Sequence, residues 1–508
     1  MSNIKNLFKD IISHCKEYGY IFQSSEIYDG LAATYDYGPN GVELKNNIKE
    51  YWWKAMVNMN ENIVGLDSAI FMHSDTWKAS GHIDAFNDPL IDNKDSKKRY
   101  RADVLIEDYI QKIKEKNEKD ISKAAKRFGD EFNKDIFIKT NVRVLERNKK
   151  IASINEKMQS FLINKNFIGL KDLIEELDVK CPVSGTNNWT DVRQFNLMFK
   201  TQLGSTEKEN SDLYLRPETA QGIFVNYLNS QTTSRQKIPF GIAQIGKAFR
   251  NEITTGNFIF RTREFEQMEM EFFCKLDETS KWLEYWSSER MKWFESLGIN
   301  KEKLRLRAHG DDELAHYSSA CYDIEYKFDF GWSELEGIAD RGTYDLDQHI
   351  KHSGKKLSYF DQPNNEHFVP AVVEASAGVD RAFLTVLADA FTKEEVNGEN
   401  RTVLKLSPKI APIKVAVFPL FNKNGMPEIS QKVINELKDK NIACFYDAGG
   451  SIGKRYRRQD EAGTPFGITI DHDSLDDNTV TLRFRDSMKQ ERISIEKVVN
   501  EIKDLINK

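Results

Sequence analysis

The 508-residue chain is poor in the features that mark secreted, membrane-spanning or metal-stabilised proteins. Its five cysteines are scattered, and no two of them form a Cys-x-x-Cys pair, which argues against a disulfide framework and against a structural zinc site. No apolar run reaches the length of about 18 residues that a membrane span needs, and the N-terminus has no apolar signal core. We therefore predict a cytoplasmic protein without structural metal and without a membrane partner.

A strong excess of charge of one sign is also missing. The formal net charge is −6, and hydrophobic residues make up 40% and charged residues 30% of the chain, as in ordinary globular proteins. Any surface for nucleic acid must therefore be local. At 508 residues the chain is too long for one hydrophobic core, so two or three domains are expected.

Shifts of composition divide the chain. Residues 1–91 open with an amphipathic helix, and a second helix is predicted from about Val42 to Met59. Residues 92–177 are rich in Lys, Glu and Asn, which predicts a helical insertion that is either a solvated excursion or an arm toward a macromolecule. Residues 178–405 are rich in strand patterns. Linkers are predicted at 394–400 and 407–412, and residues 410–508 alternate strand and helix patterns, which indicates a separate α/β domain.

The segment from Phe249 to Phe273 carries the most informative pattern. Two charged, strand-like arms flank a turn at residues 254–257, which predicts an antiparallel hairpin. In the second arm a period of two turns Met268, Met270 and Phe272 toward a core. The opposite face carries Arg261, Arg263, Phe265, Gln267 and Glu269. Guanidinium groups suit phosphates, and a carboxylate can hold an ammonium group; the alternative is a half-exposed strand with cross-strand ion pairs.

This segment resembles motif 2 of the class II aminoacyl-tRNA synthetases, in which Phe-Arg-x-Glu, a loop and Arg-x-x-x-Phe follow one another. The strings Phe249-Arg250-Asn251-Glu252 and Arg261-Thr262-Arg263-Glu264-Phe265 fit that pattern. The fuller string is similar to the glycine-specific, single-chain homodimeric members. The resemblance implies that Arg250 binds the α-phosphate of ATP, that Glu252 and Phe265 meet the adenine, and that Arg261 lies on the γ-phosphate side.

Two other stretches fit the same family. Residues 372–381 read as a strand, a turn and a helix start, and they resemble motif 3, in which the arginine, here Arg381, grips the γ-phosphate. Taken alone, this pattern is also that of an ordinary helix start with a surface arginine. Residues 215–224 are similar to a family stretch whose glutamate, here Glu218, binds the ammonium of the amino acid. The alternative for Glu218 is a favourable charge at a helix start.

Shorter stretches also fit. Residues 98–103 are similar to a family stretch whose arginine, here Arg101, lies at the substrate site, although a solvated basic surface explains them equally well. Residues 333–341 are similar to a stretch that places Glu334 near ATP as a Mg²⁺ contact. Residues 35–41 and the helix after them occupy the place of motif 1, which usually builds a dimer interface.

The resemblance implies two sets of ligand contacts. The ATP set is Arg250, Asn251, Glu252, Phe260, Arg261, Thr262, Arg263, Glu264, Phe265, Glu334, Leu335, Gly378, Val379, Asp380 and Arg381, with Arg250 and Arg381 as the catalytic residues. The glycine set is Arg101, Glu218, Phe265, Glu266, Gln267, Met268, Glu269, Glu374, Ala375, Ser376, Ala377 and Gly378.

The C-terminal α/β domain resembles the anticodon-binding domain that several class II synthetases share. Its basic residues cluster in the string Lys454-Arg455-Tyr456-Arg457-Arg458 and at Arg483 and Arg485. A local basic patch that includes an aromatic ring suits single-stranded RNA. The tRNA candidates are Lys454, Arg455, Arg457 and Arg458; the alternative is a solvated helix face.

Taken together, the resemblance implies an α+β catalytic domain built on an antiparallel β-sheet flanked by helices, with a helical insertion and an anticodon-binding domain. It implies ATP-dependent attachment of glycine to tRNA(Gly) through a glycyl-adenylate, with release of pyrophosphate and AMP, in a Mg²⁺-dependent homodimer. Three alternatives stay open: a class II synthetase for another amino acid, a non-catalytic relative that binds nucleic acid, and an ATP-dependent ligase of a different acid. The joint presence of Arg250, Arg261 and Arg381 disfavours the non-catalytic relative.

Overall fold

The computed structural model describes residues 4–129, 132–204, 211–253, 256–310, 314, 318–396 and 398–507. The chain divides into two compact units. Unit 1 comprises residues 1–80, 200–250 and 256–508, and unit 2 comprises residues 81–199 and 251–255. Among the described residues, no helix is both long and apolar enough to cross a membrane.

The described residues form both helices and strands, with four successive helices between β5 and β6. In the described residues the helices are α1 Ile4–Glu17, α2 Pro39–Trp53, α3 Ser74–Ala79, α4 His82–Ala85, α5 Ala102–Phe128, α6 Lys134–Thr140, α7 Val142–Ile163, α8 Phe167–Glu176, α9 Ala220–Val225, α10 Tyr227–Ser234, α11 Thr279–Ser296, α12 Tyr344–Ser353, α13 Val379–Ala390, α14 Met426–Lys438, α15 Ile452–Glu461, α16 His472–Asp477 and α17 Val498–Asn507. The strands are β1 Ile21–Gln23, β2 Tyr35–Tyr37, β3 Ile63–Gly65, β4 Asn87–Asp92, β5 Arg99–Arg101, β6 Arg193–Asn196, β7 Lys200–Leu203, β8 Ser211–Tyr214, β9 Phe240–Phe249, β10 Glu264–Cys274, β11 Leu304–Ala308, β12 Ala320–Phe328, β13 Gly331–Gly342, β14 Tyr359–Asp361, β15 Glu366–Phe368, β16 Ala371–Gly378, β17 Phe391–Val396, β18 Glu399–Leu404, β19 Val415–Pro419, β20 Cys444–Tyr446, β21 Phe466–Ile470, β22 Thr479–Phe484 and β23 Gln490–Ser494.

A seven-stranded sheet forms the centre of unit 1, in the order β11-β12-β13-β16-β10-β9-β3. All neighbours are antiparallel except β3, which runs parallel to β9. On β10, Met268, Met270 and Phe272 are buried in the main hydrophobic core, as the period of two predicts. Helices α1, α2, α11 and α13 also contribute side chains to that core, so the predicted antiparallel sheet flanked by helices is confirmed.

An antiparallel hairpin of β9 and β10 is present, but neither strand reaches the predicted turn. Strand β9 ends at Phe249, so Arg250 and Glu252 lie outside it, and β10 begins only at Glu264. Strands β9 and β10 pair in register from Phe249 opposite Glu264 onward. Arg261 and Arg263 precede β10 and follow a 3-10 turn at Phe258–Phe260, so they do not belong to the alternating face of the strand. The predicted turn includes Thr254 and Thr255, which lie outside the described residues.

The motif 3 stretch folds as predicted, with β16 ending at Gly378 and α13 beginning at the next residue. Glu218, for which a helix start was the alternative, lies just before α9, which begins at Ala220 with Thr219 as its N-cap residue. The first predicted linker is wrong. Strands β17 and β18, which contain residues of this segment, pair as an antiparallel hairpin. Their polar composition resembles that of a linker, and the backbone hydrogen bonds between the strands are not visible in the sequence.

Unit 2 contains the predicted helical segment and a small sheet that was not predicted. Helices α5, α7 and α8 enclose a core to which Ile106, Ile154 and Leu173 contribute. Strands β5, β4 and β6 form a three-stranded antiparallel sheet. Because β4 and β6 lie more than 100 residues apart in the sequence, no local pattern predicts their pairing.

The C-terminal α/β region forms a five-stranded sheet in the order β20-β19-β21-β22-β23. Strand β19 is parallel to both β20 and β21, and the last two strands are antiparallel. Helices α14 and α17 pack on it through residues such as Val433 and Ile502. Helix α15 lies between β20 and β21. Strand β23 precedes the final helix, α17, which begins at Val498.

A buried ion pair below the central sheet gives the first testable prediction. Arg290 on α11 donates from Nε to Oε1 of Glu336 on β13 at 2.7 Å, and their side chains are 3% and 0% exposed. The Arg290→Ala change leaves a buried carboxylate without its partner, so we expect the free energy of unfolding to fall by roughly 3–5 kcal/mol. Chemical denaturation measures it. Lys292→Ala, at an exposed position on the same helix, is the control, and an equal effect of both changes would contradict the prediction.

Candidate active site

Several carboxylate side chains lie near Glu269 on the polar face of the central sheet. Gln267 and Glu269 lie on β10, and both are buried. Glu269 accepts hydrogen bonds from the backbone N–H of Thr219 at 3.0 Å, from the Ser376 hydroxyl at 2.6 Å and from the Gln267 amide at 2.9 Å. The Thr219 hydroxyl donates to it as well. Burial raises the pKa of Glu269, and nearby Glu218 adds to the rise.

Two further carboxylates, Glu374 and Asp345, share the guanidinium group of Arg341. Glu374 on β16 accepts from Nη1 of Arg341 at 2.5 Å, and the same guanidinium donates through Nε to Asp345 at 2.8 Å. Burial raises the pKa of Glu374 to about 7, although Arg341 opposes the rise. Glu218 is linked to this group because Gln221 donates to both Glu218 and Asp345. Glu218, Glu269 and Glu374 also act on one another's pKa, so they form one cluster of carboxylates, called the acidic pocket below.

Arg250 stands at the end of β9, next to the aromatic ring predicted to meet adenine. Its guanidinium carbon lies 5.3 Å from the centroid of the Phe265 ring. Its Nε donates to the backbone carbonyl of Pro217 at 3.1 Å. Because Pro217 directly precedes Glu218, this bond ties the arginine to the edge of the acidic pocket.

Arg381, in the first turn of α13, lies close to a second aromatic ring and a carboxylate. Its guanidinium carbon is 4.4 Å from the centroid of Phe260. It forms an ion pair with Oε2 of Glu334 at 3.1 Å and also donates to the Glu334 backbone carbonyl at 3.0 Å. The half-exposed Glu334 carboxylate leaves this end of the site open to solvent.

Several predicted contact residues turn their side chains to the opposite face of the sheet. Glu266 pairs with Lys45 at 2.7 Å and with Lys49 at 3.2 Å, both on α2. Asp380 accepts from Lys45 at 3.1 Å and from the backbone N–H of Glu266 at 2.8 Å. The side chains of Leu335, Met268, Ala375, Ala377 and Val379 are buried in the main core. For the residues on β10, β13 and β16 the alternation of a strand causes this division, whereas Val379 and Asp380 lie in the first turn of α13.

The motif 2 loop places its other residues near the surface. Arg261 is exposed, and Arg263 donates from Nη1 to the Ala32 carbonyl at 2.9 Å. The Thr262 hydroxyl donates to the backbone carbonyl of Glu264. Glu252 is half-buried, and Gly378 ends β16 directly before the helix of Arg381.

Three predicted contacts, Arg101, Asn251 and Glu252, belong to unit 2. Asn251 donates its backbone N–H to the Leu197 carbonyl at 2.8 Å. Arg101 forms ion pairs with Asp88 at 3.2 Å and with Asp103 at 2.6 Å. Both acidic partners are in the same unit, and the predicted role of Arg101 at the substrate site stays a prediction.

The sequence pattern did not single out every residue of the acidic pocket. Arg341, Asp345, Thr219 and Gln221 hold the carboxylates but were not predicted as site residues. The period of two along β13 could have indicated Arg341, because it continues the series Gly337, Ala339. Gly337 lies opposite Ser376 on β16, and Ala339 lies opposite Glu374. The hydrogen bonds of Thr219 and Gln221 depend on tertiary contacts with β10 and α12.

A group of three potential metal ligands also occurs in the described residues. His309, Cys321 and Asp323 bring one ligand atom each to within 4.8 Å of one another. Asp323 already accepts from His309 Nε2 at 2.7 Å and from Arg307 Nη2 at 3.1 Å, and burial raises the pKa of the Cys321 thiol to about 12. These contacts make His309 and Arg307 part of a hydrogen-bonded cluster around Asp323.

The predicted tRNA patch needs correction at three positions. Arg455 is 3% exposed and donates to the backbone carbonyls of Gly450 and Pro419. Arg483 pairs with buried Asp460. Arg485 is also buried, and it donates to the backbone carbonyls of Gly463 and Leu406.

The aromatic ring of the patch also faces inward. Tyr456 packs edge-to-face on Phe418, and its hydroxyl shares a hydrogen bond with Thr469. Lys454, Arg457 and Arg458 stay exposed on α15, although Arg458 pairs with Asp447. The patch therefore consists of three cations without an exposed aromatic ring between them.

Comparison with known families assigns the regions of the chain. The family described as tRNA synthetase class II core domain (G, H, P, S and T) matches residues 199–390. The family described as Glycyl-tRNA synthetase insertion domain 1 matches residues 88–197, and the anticodon binding domain matches residues 414–505.

Curated relatives match over nearly the full length. The chain is 51% identical over 495 residues to a protein of Caldanaerobacter subterraneus subsp. tengcongensis named glycine–tRNA ligase, with 97% of each chain covered. Proteins with the same name from Staphylococcus haemolyticus and Macrococcus caseolyticus are also 51% identical, over 487 and 495 residues, with 96% and 97% of each chain covered.

Proposed function

The chain belongs to the glycine–tRNA ligase family of class II aminoacyl-tRNA synthetases, and from that membership we propose that it activates glycine with ATP at the polar face of the central sheet and transfers it to tRNA. The observation that carries the proposal is the acidic pocket of Glu218, Glu269 and Glu374 beside Arg250. A site of this kind holds an ammonium group and a phosphate group next to each other.

Activation needs positioning and charge neutralisation rather than a base. The carboxylate of glycine is ionised near pH 7, and one of its oxygens attacks the α-phosphorus of ATP while pyrophosphate leaves. Arg250 would neutralise the α-phosphate, and Arg261 and Arg381 the outer phosphates, because a guanidinium is planar and permanently charged. Phe265 would stack on the adenine.

Recognition of glycine rests on its charged ends, because it has no side chain to contact. The ammonium would be held by Glu218, Glu269 and Glu374, with the Ser376 hydroxyl fixing one oxygen of Glu269. Larger amino acids would be excluded by side chains that fill the space around the Cα atom.

Mg²⁺ is the divalent ion that the family implies. The half-exposed carboxylate of Glu334 beside Arg381 fits it, because Mg²⁺ in nucleotide sites binds one or two carboxylates together with phosphate oxygens. When bound, the ion would supply further neutralisation of phosphate charge.

The remaining partners follow from the other regions of the chain. The C-terminal α/β region would bind the anticodon end of tRNA(Gly), and glycine would pass to the terminal ribose with release of AMP. The motif 1 region, β2 and α2, would contribute to a homodimer in the cytoplasm.

ATP–pyrophosphate exchange, run with each of the twenty amino acids in turn, tests the proposal directly. We expect exchange with glycine and background exchange with the other nineteen. Faster exchange with a different amino acid would instead identify a class II synthetase of other specificity. Exchange with none would favour a non-catalytic relative.

The corrected basic patch gives a prediction for tRNA binding. Charge reversal at Lys454 and Arg457 places two acidic groups on the exposed face of α15, so we expect affinity for tRNA(Gly) to fall about tenfold or more at moderate salt, while glycine-dependent exchange is unchanged. Filter binding measures the affinity. The same reversal at Lys432 and Lys440 serves as a control, and an equal loss in both variants would contradict a specific patch.

A further inference from the structure

Glu271 is a buried acidic residue in the same sheet face that neither the sequence pattern nor the family resemblance singles out. It lies two residues after Glu269 on β10, so both side chains point to the same face. It is 0% exposed, with Glu374 opposite it on β16 and Ile242 opposite it on β9. Within the described residues, neither of its carboxylate oxygens has a hydrogen-bond partner.

The charges around Glu271 are mostly negative. Glu374 on β16, Glu269 on β10 and Asp345 on α12 all raise its pKa, while Arg341 on β13 lowers it. Helix α9 packs on β10 and has no ionisable side chain. The Arg341 guanidinium already donates to Asp345 and Glu374, and its charge is therefore committed to those two carboxylates.

An ionised carboxylate in this position would be buried without a hydrogen bond, and Arg341, the cation that lowers its pKa, is already paired with Asp345 and Glu374. Such a group takes up a proton instead, and burial raises the pKa of Glu271 well above its ordinary value, with Glu374 as the next cause. A second negative charge directly across from Glu374 would also drive the proton onto Glu374. Because the pKa of Glu374 is about 7, that residue is close to losing the charge an ammonium needs.

We propose that Glu271 is a positioning residue of the acidic pocket. It is an uncharged carboxylic acid, so that Glu374 can carry the negative charge that binds the ammonium group of glycine. The inference rests on the proposed function, since it assumes that glycine binds in this pocket. Glu271 acts through Glu374: it is buried directly opposite that residue in the β10–β16 strand pair, and its lack of charge leaves Glu374 ionised.

Two substitutions at Glu271 separate shape from charge. Glu271→Ala opens a void into which Glu374 can turn, and we expect the KM for glycine in pyrophosphate exchange to rise about tenfold, with the KM for ATP unchanged. Glu271→Gln keeps the shape without a charge, so it should restore the KM for glycine to within about threefold of the parent value. Glu374→Gln is the matched comparison, and it should raise the KM for glycine more than Glu271→Gln does.

Infrared spectroscopy gives a readout that does not depend on activity. The parent minus Glu271→Gln difference spectrum at neutral pH should contain the carbonyl band of a protonated carboxylic acid. A missing band, or a KM for glycine that rises as much in Glu271→Gln as in Glu374→Gln, would overturn the proposal. If Glu271→Ala does not fold, Glu271→Met replaces it in the kinetic comparison with Glu271→Gln.

The two proposals can fail separately. An absence of glycine-dependent exchange in the parent enzyme would refute the proposed function, whereas the infrared band would still report whether Glu271 carries a proton.

Discussion

The Arg250→Ala enzyme is expected to lose glycine-dependent ATP–pyrophosphate exchange by about 10²- to 10³-fold. Negative charge builds up on the α-phosphate as the glycine carboxylate attacks, and the guanidinium is the group proposed to neutralise it there. The structure holds this side chain by stacking on Phe265 and by a hydrogen bond to the Pro217 carbonyl. Because the interaction strengthens in the transition state, kcat should fall more than the KM for glycine rises.

Two further variants make this result specific to the position and to the guanidinium. Arg250→Lys keeps the charge but not the planar fork, and it should retain more activity than alanine but less than the parent. Arg127→Ala, at an exposed position near the end of α5, removes an arginine outside the site and should leave exchange unchanged. Exchange by Arg250→Ala within threefold of the parent would rule out the role of Arg250.

The Glu269→Gln enzyme should lose about 10²-fold or more in kcat/KM for glycine, with little change in the KM for ATP. In the folded protein the Glu269 carboxylate accepts hydrogen bonds from Thr219, Ser376 and Gln267. An amide in its place turns an NH₂ group toward these donors and removes a negative charge from the acidic pocket. Both effects act on glycine rather than on ATP.

The test is steady-state exchange with glycine and ATP varied separately. Thermal unfolding of the same variant shows whether the pocket still folds. Glu366→Gln, at an exposed position on β15, is the control for the loss of one carboxylate. A rise of the KM for ATP with an unchanged KM for glycine would place Glu269 at the nucleotide instead.

The strands and helices around the site show where sequence patterns succeed. Alternation along β10 predicted which of Met268 and Glu269 faces the core, because a strand fixes this with a period of two. The β16–α13 junction was also predicted, since an apolar strand, a glycine and an apolar helix are local signals. Arg261 and Arg263 were assigned to the strand in error, because no local rule marks the residue at which pairing with β9 begins.

The basic patch shows the opposite case. Arg455 and Arg457 differ by only two positions in one charged string, and composition treats them alike. A helix turns residues two apart to different sides, and the fold buries Arg455 against backbone carbonyls while it exposes Arg457.

The sequence by itself indicated the family and the class of reaction, and it predicted Arg250, Arg261 and Arg381 as phosphate contacts, because the motifs that carry them are residue types at fixed spacing. The tertiary structure alone decided how the carboxylates are charged. The protonation of Glu271 and Glu374 depends on burial and on neighbours from β10, β13, β16 and α12. Electrostatic energy in a low-dielectric interior depends on distances between groups far apart in the chain, and spacing along the sequence does not encode those distances.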